Sequence, residues 1–151
     1  MAVRVTAEDF EIGAEIAALS AGRADIGAVV SFTGLVRGAA GATQIDALEL
    51  EHYPGMTEAA LSEIEAEART RWPLQEVLIV HRVGRLAPGA NIVLVVTASA
   101  HRRAAFEAAE FIMDYLKTRA PFWKKESTPE GGRWVDARDT DAAADARWRI
   151  D

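Results

Sequence analysis

The sequence predicts an α+β fold, an antiparallel sheet with packed helices, and three observations carry that prediction. Runs rich in Val, Ile, Leu, Phe and Thr, bounded by turn residues, occur at 25–36, 77–83 and 91–99. Two other stretches, 57–71 and 101–117, repeat apolar residues at three- and four-residue spacing, as amphipathic helices do. Strands and helices are interspersed, with antiparallel pairings expected between the strands. At 151 residues the chain is expected to form one domain, 1–151, long enough for a proper core.

Taken in order, DIGAVVSFTGLV (25–36) reads as a strand and RGAAGAT (37–43) as a small, flexible loop. QIDALELEH (44–52) alternates imperfectly, as a half-buried strand would. Tyr53-Pro54-Gly55 breaks it, and Thr57 is the expected N-cap of a helix to about Arg71, with Ala60, Leu61, Ile64 and Ala68 as its apolar stripe. VLIVHRV (77–83) and NIVLVVTAS (91–99) are strands joined through Pro88-Gly89. Ser99 is the expected N-cap of the helix His101–Lys117, whose inner face carries Ala105, Ala108, Ala109, Ile112 and Leu116. Pro121 stops it. FWKKES and RWVDA read as short strands, and 140–147 as a final alanine-rich helix.

Composition excludes several function classes. Lys plus Arg is 17 and Asp plus Glu is 23, a formal charge of −6, which argues against duplex DNA or an anionic membrane as partner. Cysteine is absent, so this chain holds no disulfide, thiolate metal site, cysteine nucleophile or persulfide relay. The opening MAVRVTAEDFE turns acidic at once and reads as no secretory signal, and the apolar stretch Ile92–Ala98 is too short to span a bilayer. A soluble cytoplasmic protein is expected. Three scattered histidines (His52, His81, His101) without an H-E-x-x-H pattern argue against a zinc site, and neither a phosphate-binding G-x-x-x-x-G-K-[ST] loop nor a G-x-S-x-G elbow occurs.

The basic residues are more informative. Residues 101–125 hold six Lys or Arg against three acids, net +3, which leaves the rest of the chain at −9. Within this segment KTRAPFWKKE (117–126) sets four cations around a proline and two aromatics. Such segregation points to a focused site for an anionic small molecule. Blander explanations stand beside it: Lys117 and Arg119 complement a helix dipole, Lys124 and Lys125 protect a strand edge, and Phe122 and Trp123 anchor the core. The expected Ser99 cap puts His101 and Arg102 in the first turn, where free N–H groups and the dipole attract anions. Lys117 lies 16 residues beyond His101, about 24 Å along an unbroken helix. If both serve one small ligand, they come from different subunits.

VVSFTGLVR (29–37), LEHYPGMTE (50–58), SAHRRAAFEAAEFIMDYLKTRAPFWKKE (99–126) and TPEGGRWVDAR (128–138), in that order, resemble the large, catalytic subunit of molybdopterin synthase, the MoaE family. The resemblance runs from about Gly27 to Arg138, with little in the first 25 residues or after 138. It implies an α/β-hammerhead-type fold and a homodimer within a heterotetramer. A small ubiquitin-like sulfur-carrier subunit, ending in a Gly-Gly thiocarboxylate, would bind at each end. The implied activity is transfer of that sulfur to cyclic pyranopterin monophosphate, two such transfers building the dithiolene of molybdopterin. No cofactor and no metal of the chain's own is expected, because the partner brings the sulfur.

The resemblance implies Lys117 and Lys124 as catalytic residues. Lys117 matches the lysine lying against the carrier's terminal glycine, suited to stabilise an oxyanion at the acyl carbon; Lys124 matches a second essential lysine, suited to acid–base work. Arg37, with His101 and Arg102 of the neighbouring subunit, matches the substrate-phosphate binders. Leu35, Val36, Lys125 and Glu126 match substrate-contact segments, and Phe32, Met113 and Arg138 brace the pocket. The principal rival is a docking module for an acidic-tailed partner without chemistry. An unrelated phosphate- or nucleotide-binding enzyme and a single-stranded RNA binder stand behind it.

Overall fold

The computed structural model describes residues 2–135 and 139–149. In chain order, Val3–Thr6 forms β1, Ile12–Ser20 α1, Ala28–Leu35 β2, Ala39–Ala40 β3, Thr43–Gln44 β4, Ala47–His52 β5 and Met56–Arg71 α2. Leu74–Arg82 forms β6, Gly84–Leu86 β7, Asn91–Ser99 β8, Arg102–Arg119 α3, Phe122–Thr128 β9, Gly131–Val135 β10 and Asp139–Arg147 α4. The class is α+β, as expected.

Two four-stranded sheets organise these elements. One has the order β1-β6-β8-β2, the other β10-β9-β5-β7, and β3 with β4 forms a small hairpin. Strands β6 and β8 read as continuous apolar runs because their sheet is covered on both faces. Val77, Ile79, Val93 and Val95 pack with Leu61, Ile64, Phe111 and Ile112 of α2 and α3. Leu78, Val80, Leu94 and Val96 pack on the opposite side with Phe10, Ile16 and Leu19 at α1. A third cluster, Val36, Leu48, Leu50 and Leu86, lies between the β2 end and the second sheet.

Both long helices end by the same device. Trp72 after α2 and Ala120 after α3 are extended (ψ 149° and 132°), the conformation that the following Pro73 and Pro121 impose. α4 then packs on the last turns of α3. Thr118 donates to Asp145 at 2.9 Å, and the Trp148 indole N–H donates to Asp114 at 2.6 Å.

Several expectations are corrected. The first 25 residues hold β1 and α1, and β1 pairs with β6 in parallel, an exception to the antiparallel pairings expected. The strand expected over 25–36 is Ala28–Leu35, because Gly27 donates its amide to Ser99 O beyond the ladder. The loop at 37–43 contains the β3 strand and the start of β4, turning through Gly41 at φ 62°. Thr57 does not cap α2: Gly55 does, at φ 86°, a conformation that favours glycine, with its N–H on the Glu58 carboxylate. Thr57 is buried and its hydroxyl donates to Tyr53 O at 2.9 Å. At α3 the N-cap position is His101, while Ser99 donates to Pro73 O at 2.8 Å and accepts weakly from the His101 amide.

Gly27 is required by close approach. A Cβ there would lie 2.1 Å from Ala100 O, a backbone atom that cannot move aside cheaply. Gly27→Ala is therefore expected to destabilise the protein by about 1–3 kcal/mol or more, read as a lowered thermal midpoint. An unchanged midpoint would mean that the β8–α3 turn is looser than this packing requires.

Candidate active site

The end of α3, the strand after its proline, and the end of β2 meet around one cavity of about 550 Å³. That is ample for a small-molecule ligand. Each wall follows from local periodicity. On α3, Met113 and Lys117 are one helical turn apart, so both face the cavity while Phe111 and Ile112 face the core. On β9 the two-residue repeat sends Phe122, Lys124 and Glu126 to the cavity and Trp123 and Lys125 to the other face. Phe32, Leu35, Val36 and Arg37 complete the wall from β2 and the residues after it.

Most of the residues expected at a site therefore share this cavity: Lys117, Lys124, Arg37, Leu35, Val36, Glu126, Phe32 and Met113. Glu126 is buried and ion-paired with Arg133 at 3.5 Å. His101 and Arg102 are exposed at the far end of α3 and do not reach it, and the helix between is continuous, as the length argument required. Lys125 is a correction: strand alternation turns it away from the cavity, where its ammonium lies 5.6 Å from the Trp134 ring. The two aromatics of the FWKK stretch are likewise divided. Phe122 faces inward, whereas Trp123 is 41% exposed and meets Tyr53 edge-on at 4.4 Å beside a second cleft of about 440 Å³. Arg138 lies outside the described residues.

His81 and Asp141 line the cavity without having been singled out in the sequence. His81 occupies a position in an apolar strand, and nothing in that strand points to a site; Asp141 comes from α4, whose place is set by tertiary packing. The His81 ring is 3% exposed and stacks on Phe122 with centroids 3.8 Å apart and planes at 17°. Its Nδ1 donates to Arg82 O at 2.8 Å, which makes Nε2 the lone-pair nitrogen, since a carbonyl only accepts. Burial brings the imidazole down to about 3, opposed by that hydrogen bond and reinforced by the charges of Lys124, Lys117 and His52.

A pH dependence of stability follows. In the folded protein His81 stays neutral, whereas the unfolded chain takes up a proton below the ordinary value of 6.5. Its contribution to stability is thus complete above pH 6.5 and is lost as pH falls toward 3, with a slope of up to about 1.4 kcal/mol per pH unit. Urea midpoints should fall between about pH 7 and 5, and His81→Leu should flatten that interval. A wild-type slope that survives in His81→Leu would assign it to other groups.

Among the described residues no group of three or more His, Asp or Glu side chains is placed to hold a metal ion. No described helix is long and apolar enough to cross a membrane.

Comparison with known proteins bears directly on this arrangement. The model of the MoaE protein family matches residues 5–119. The chain belongs to the MoaE family. It is 62% identical, over 97% of its own length and 92% of the relative's, to the molybdopterin synthase catalytic subunit of Mesorhizobium japonicum. The solved MoaE protein of Burkholderia ambifaria superposes with a TM-score of 0.84 at 57% identity, covering both chains completely. A crystal structure of molybdopterin synthase from Staphylococcus aureus gives 0.80 at 33% identity, over 87% of this chain and 95% of that one. As a MoaE protein the chain is an enzyme of molybdenum cofactor biosynthesis, the catalytic side of molybdopterin synthase and a sulfurtransferase. The match corrects one boundary: the likeness begins at residue 5, so the end of β1 and all of α1 belong to it. Their sequences carry few distinctive residues, which is why the resemblance is hard to see there.

Proposed function

We propose that the cavity between α3 and β9 is where sulfur passes from the C-terminal thiocarboxylate of a small ubiquitin-like carrier to cyclic pyranopterin monophosphate. One observation supports this above others. Lys117 and Lys124, on two elements separated by a proline, line one cavity in a chain without cysteine. A site with cations and no thiol suits a reaction in which the partner supplies the sulfur and the chain binds and polarises.

In this reading the carrier's Gly-Gly tail enters the cavity along Lys117. The carrier sulfur bonds to a substrate carbon as that carbon's bond to oxygen breaks and the oxygen leaves. Water then attacks the acyl carbon, and the acyl carbon–sulfur bond breaks. The carrier is left as a carboxylate and the sulfur stays on the substrate. The Lys117 ammonium stabilises the oxyanion of the tetrahedral intermediate, and Lys124 moves protons on the substrate. Arg37 holds substrate phosphate, and His101 and Arg102 reach the same substrate from a second copy of the chain. The assembly is a homodimer with a carrier at each end, a heterotetramer, acting in the cytoplasm. The chain 1–151 works as one catalytic-subunit domain. It needs no resident cofactor or metal, and neither nucleic acid nor membrane is a partner.

Two experiments test this. Purified protein mixed with thiocarboxylated carrier and cyclic pyranopterin monophosphate should form molybdopterin. No product from a folded protein that binds its carrier would favour the docking module. For the shared site, Lys117→Ala and His101→Ala proteins, each inactive, are unfolded and refolded together in equal amounts. About a quarter of wild-type activity should return, because half the dimers are mixed and each has one intact site. No recovery, with subunit exchange verified, would place both residues' roles within one chain.

A further inference from the structure

His81 has no part in the chemistry above, yet it holds a costly position. On β6 the residues Val77, Ile79 and His81 share a face, and the first two lie in the apolar core beneath α2 and α3. An apolar third member would continue that row without burying a polar ring. The imidazole is held on two sides instead. Nδ1–H is fixed on Arg82 O at 2.8 Å, and one ring face is fixed on Phe122 at 3.8 Å. Phe122 begins the strand that presents Lys124 two residues later on the same face. The ring lines the cavity with Lys117 and Lys124, and both ammonium charges act on it.

We propose that His81 is a positioning residue of this site, a neutral imidazole clamped by the Arg82 carbonyl and Phe122 that offers its Nε2 lone pair as a hydrogen-bond acceptor to the lysine ammonium groups in the cavity. The inference rests on the assignment of Lys117 and Lys124 to sulfur transfer. Lysine is a flexible four-carbon stem with a compact charge, and a fixed acceptor restricts where that charge sits. An acceptor also favours the charged form of the ammonium, the form that stabilises an oxyanion. Neutrality of the ring is essential, because an imidazolium has two donors and no acceptor.

The charged and titratable groups around the ring fit this role. Lys117 comes from α3, Lys124 and Glu126 from β9, Arg37 from the end of β2 and Asp141 from α4, all on the cavity wall. His52 of β5 stands behind Phe122, 6.4 Å from it. The guanidinium of Arg82 is directed elsewhere, to Asn91 O and Ala7 O, so that residue supplies its carbonyl alone.

The test compares wild type, His81→Leu and His81→Gln in the complete reaction with carrier and substrate, measuring kcat and KM across the alkaline range. Leucine keeps bulk against Phe122 and removes the acceptor; glutamine restores one. His81→Leu should lower kcat about tenfold or more, the scale of a lost hydrogen bond to a charged group, with KM within about twofold. The basic limb of its kcat profile should move to lower pH, since the ammonium loses a partner that favours its charged form. His81→Gln should recover most of the loss. A folded His81→Leu protein with wild-type kcat and an unmoved profile would overturn the proposal and leave the ring as packing.

A second measurement does not depend on variants at position 81 folding. In wild type labelled with ¹⁵N-histidine, His81 should show a protonated Nδ1 and a bare Nε2 from about pH 5 to 9. The Nε2 resonance should move in Lys117→Ala. A protonated Nε2 in that range, or an Nε2 signal indifferent to the lysines, overturns the proposal. Absence of product from wild type would instead overturn the sulfur-transfer assignment, and the nitrogen signals would still decide the imidazole's role.

Discussion

Lys117→Ala is expected to abolish molybdopterin formation, by about a hundredfold or more in turnover, the usual cost of removing a donor aimed at an oxyanion. Its fold should survive. Lys117 is exposed on the cavity side of α3, and the helix loses at most the dipole contribution of one C-terminal cation, about 0.3–1 kcal/mol. The measurement is single-turnover sulfur transfer with thiocarboxylated carrier, run beside thermal unfolding and carrier binding. Loss of transfer with intact binding places Lys117 in the chemistry. Wild-type transfer would remove it and leave Lys124 as the lysine to test.

Phe111→Ala should do the reverse, damaging the fold while sparing the chemistry of molecules that remain folded. Phe111 is fully buried where three helices meet. Trp72, after α2, packs on it at 5.2 Å, Trp148, after α4, at 5.6 Å, and Tyr115 at 4.2 Å. The Arg71 guanidinium lies 4.6 Å over its ring. Truncation leaves a cavity among these rings. A cost of about 3–5 kcal/mol is expected. For a chain of this size that corresponds to a thermal midpoint lower by roughly 10 °C or more. Turnover per folded molecule at low temperature should remain near wild type. A midpoint within about 2 °C of wild type would show that the surrounding rings collapse into the space.

Much of this was legible in the sequence. The core face of α3 follows from its apolar spacing, and β6 and β8 from their Val and Ile content. Of the six cations in 101–125, Lys117 and Lys124 line the cavity, while Arg102, Arg103, Arg119 and Lys125 do not. The resemblance then named residues, most of which share one cavity. The misses have local causes. Thr57 has the chemistry of a cap, but a glycine two residues earlier adopts the conformation the turn needs, so the hydroxyl goes to Tyr53 O instead. Ser99 likewise turns to Pro73 O, a residue 26 positions away that no local pattern could bring near. β1 was invisible because a four-residue edge strand pairing in parallel with β6 has too short a pattern to read.

The sequence by itself determined the long helices, the strands β2, β5, β6 and β8, the inward faces of α2 and α3, the absence of any thiol, and the separation of His101 from Lys117 by an unbroken helix. These are consequences of short-range periodicity and residue chemistry. The tertiary structure decided which side chains meet. Strand alternation around Pro121 put Lys124 in the cavity and Lys125 outside it, and the meeting of the two sheets set His81 against Phe122. Those outcomes depend on contacts between residues far apart in the chain, where geometry, not spacing, determines which groups share a low-dielectric space.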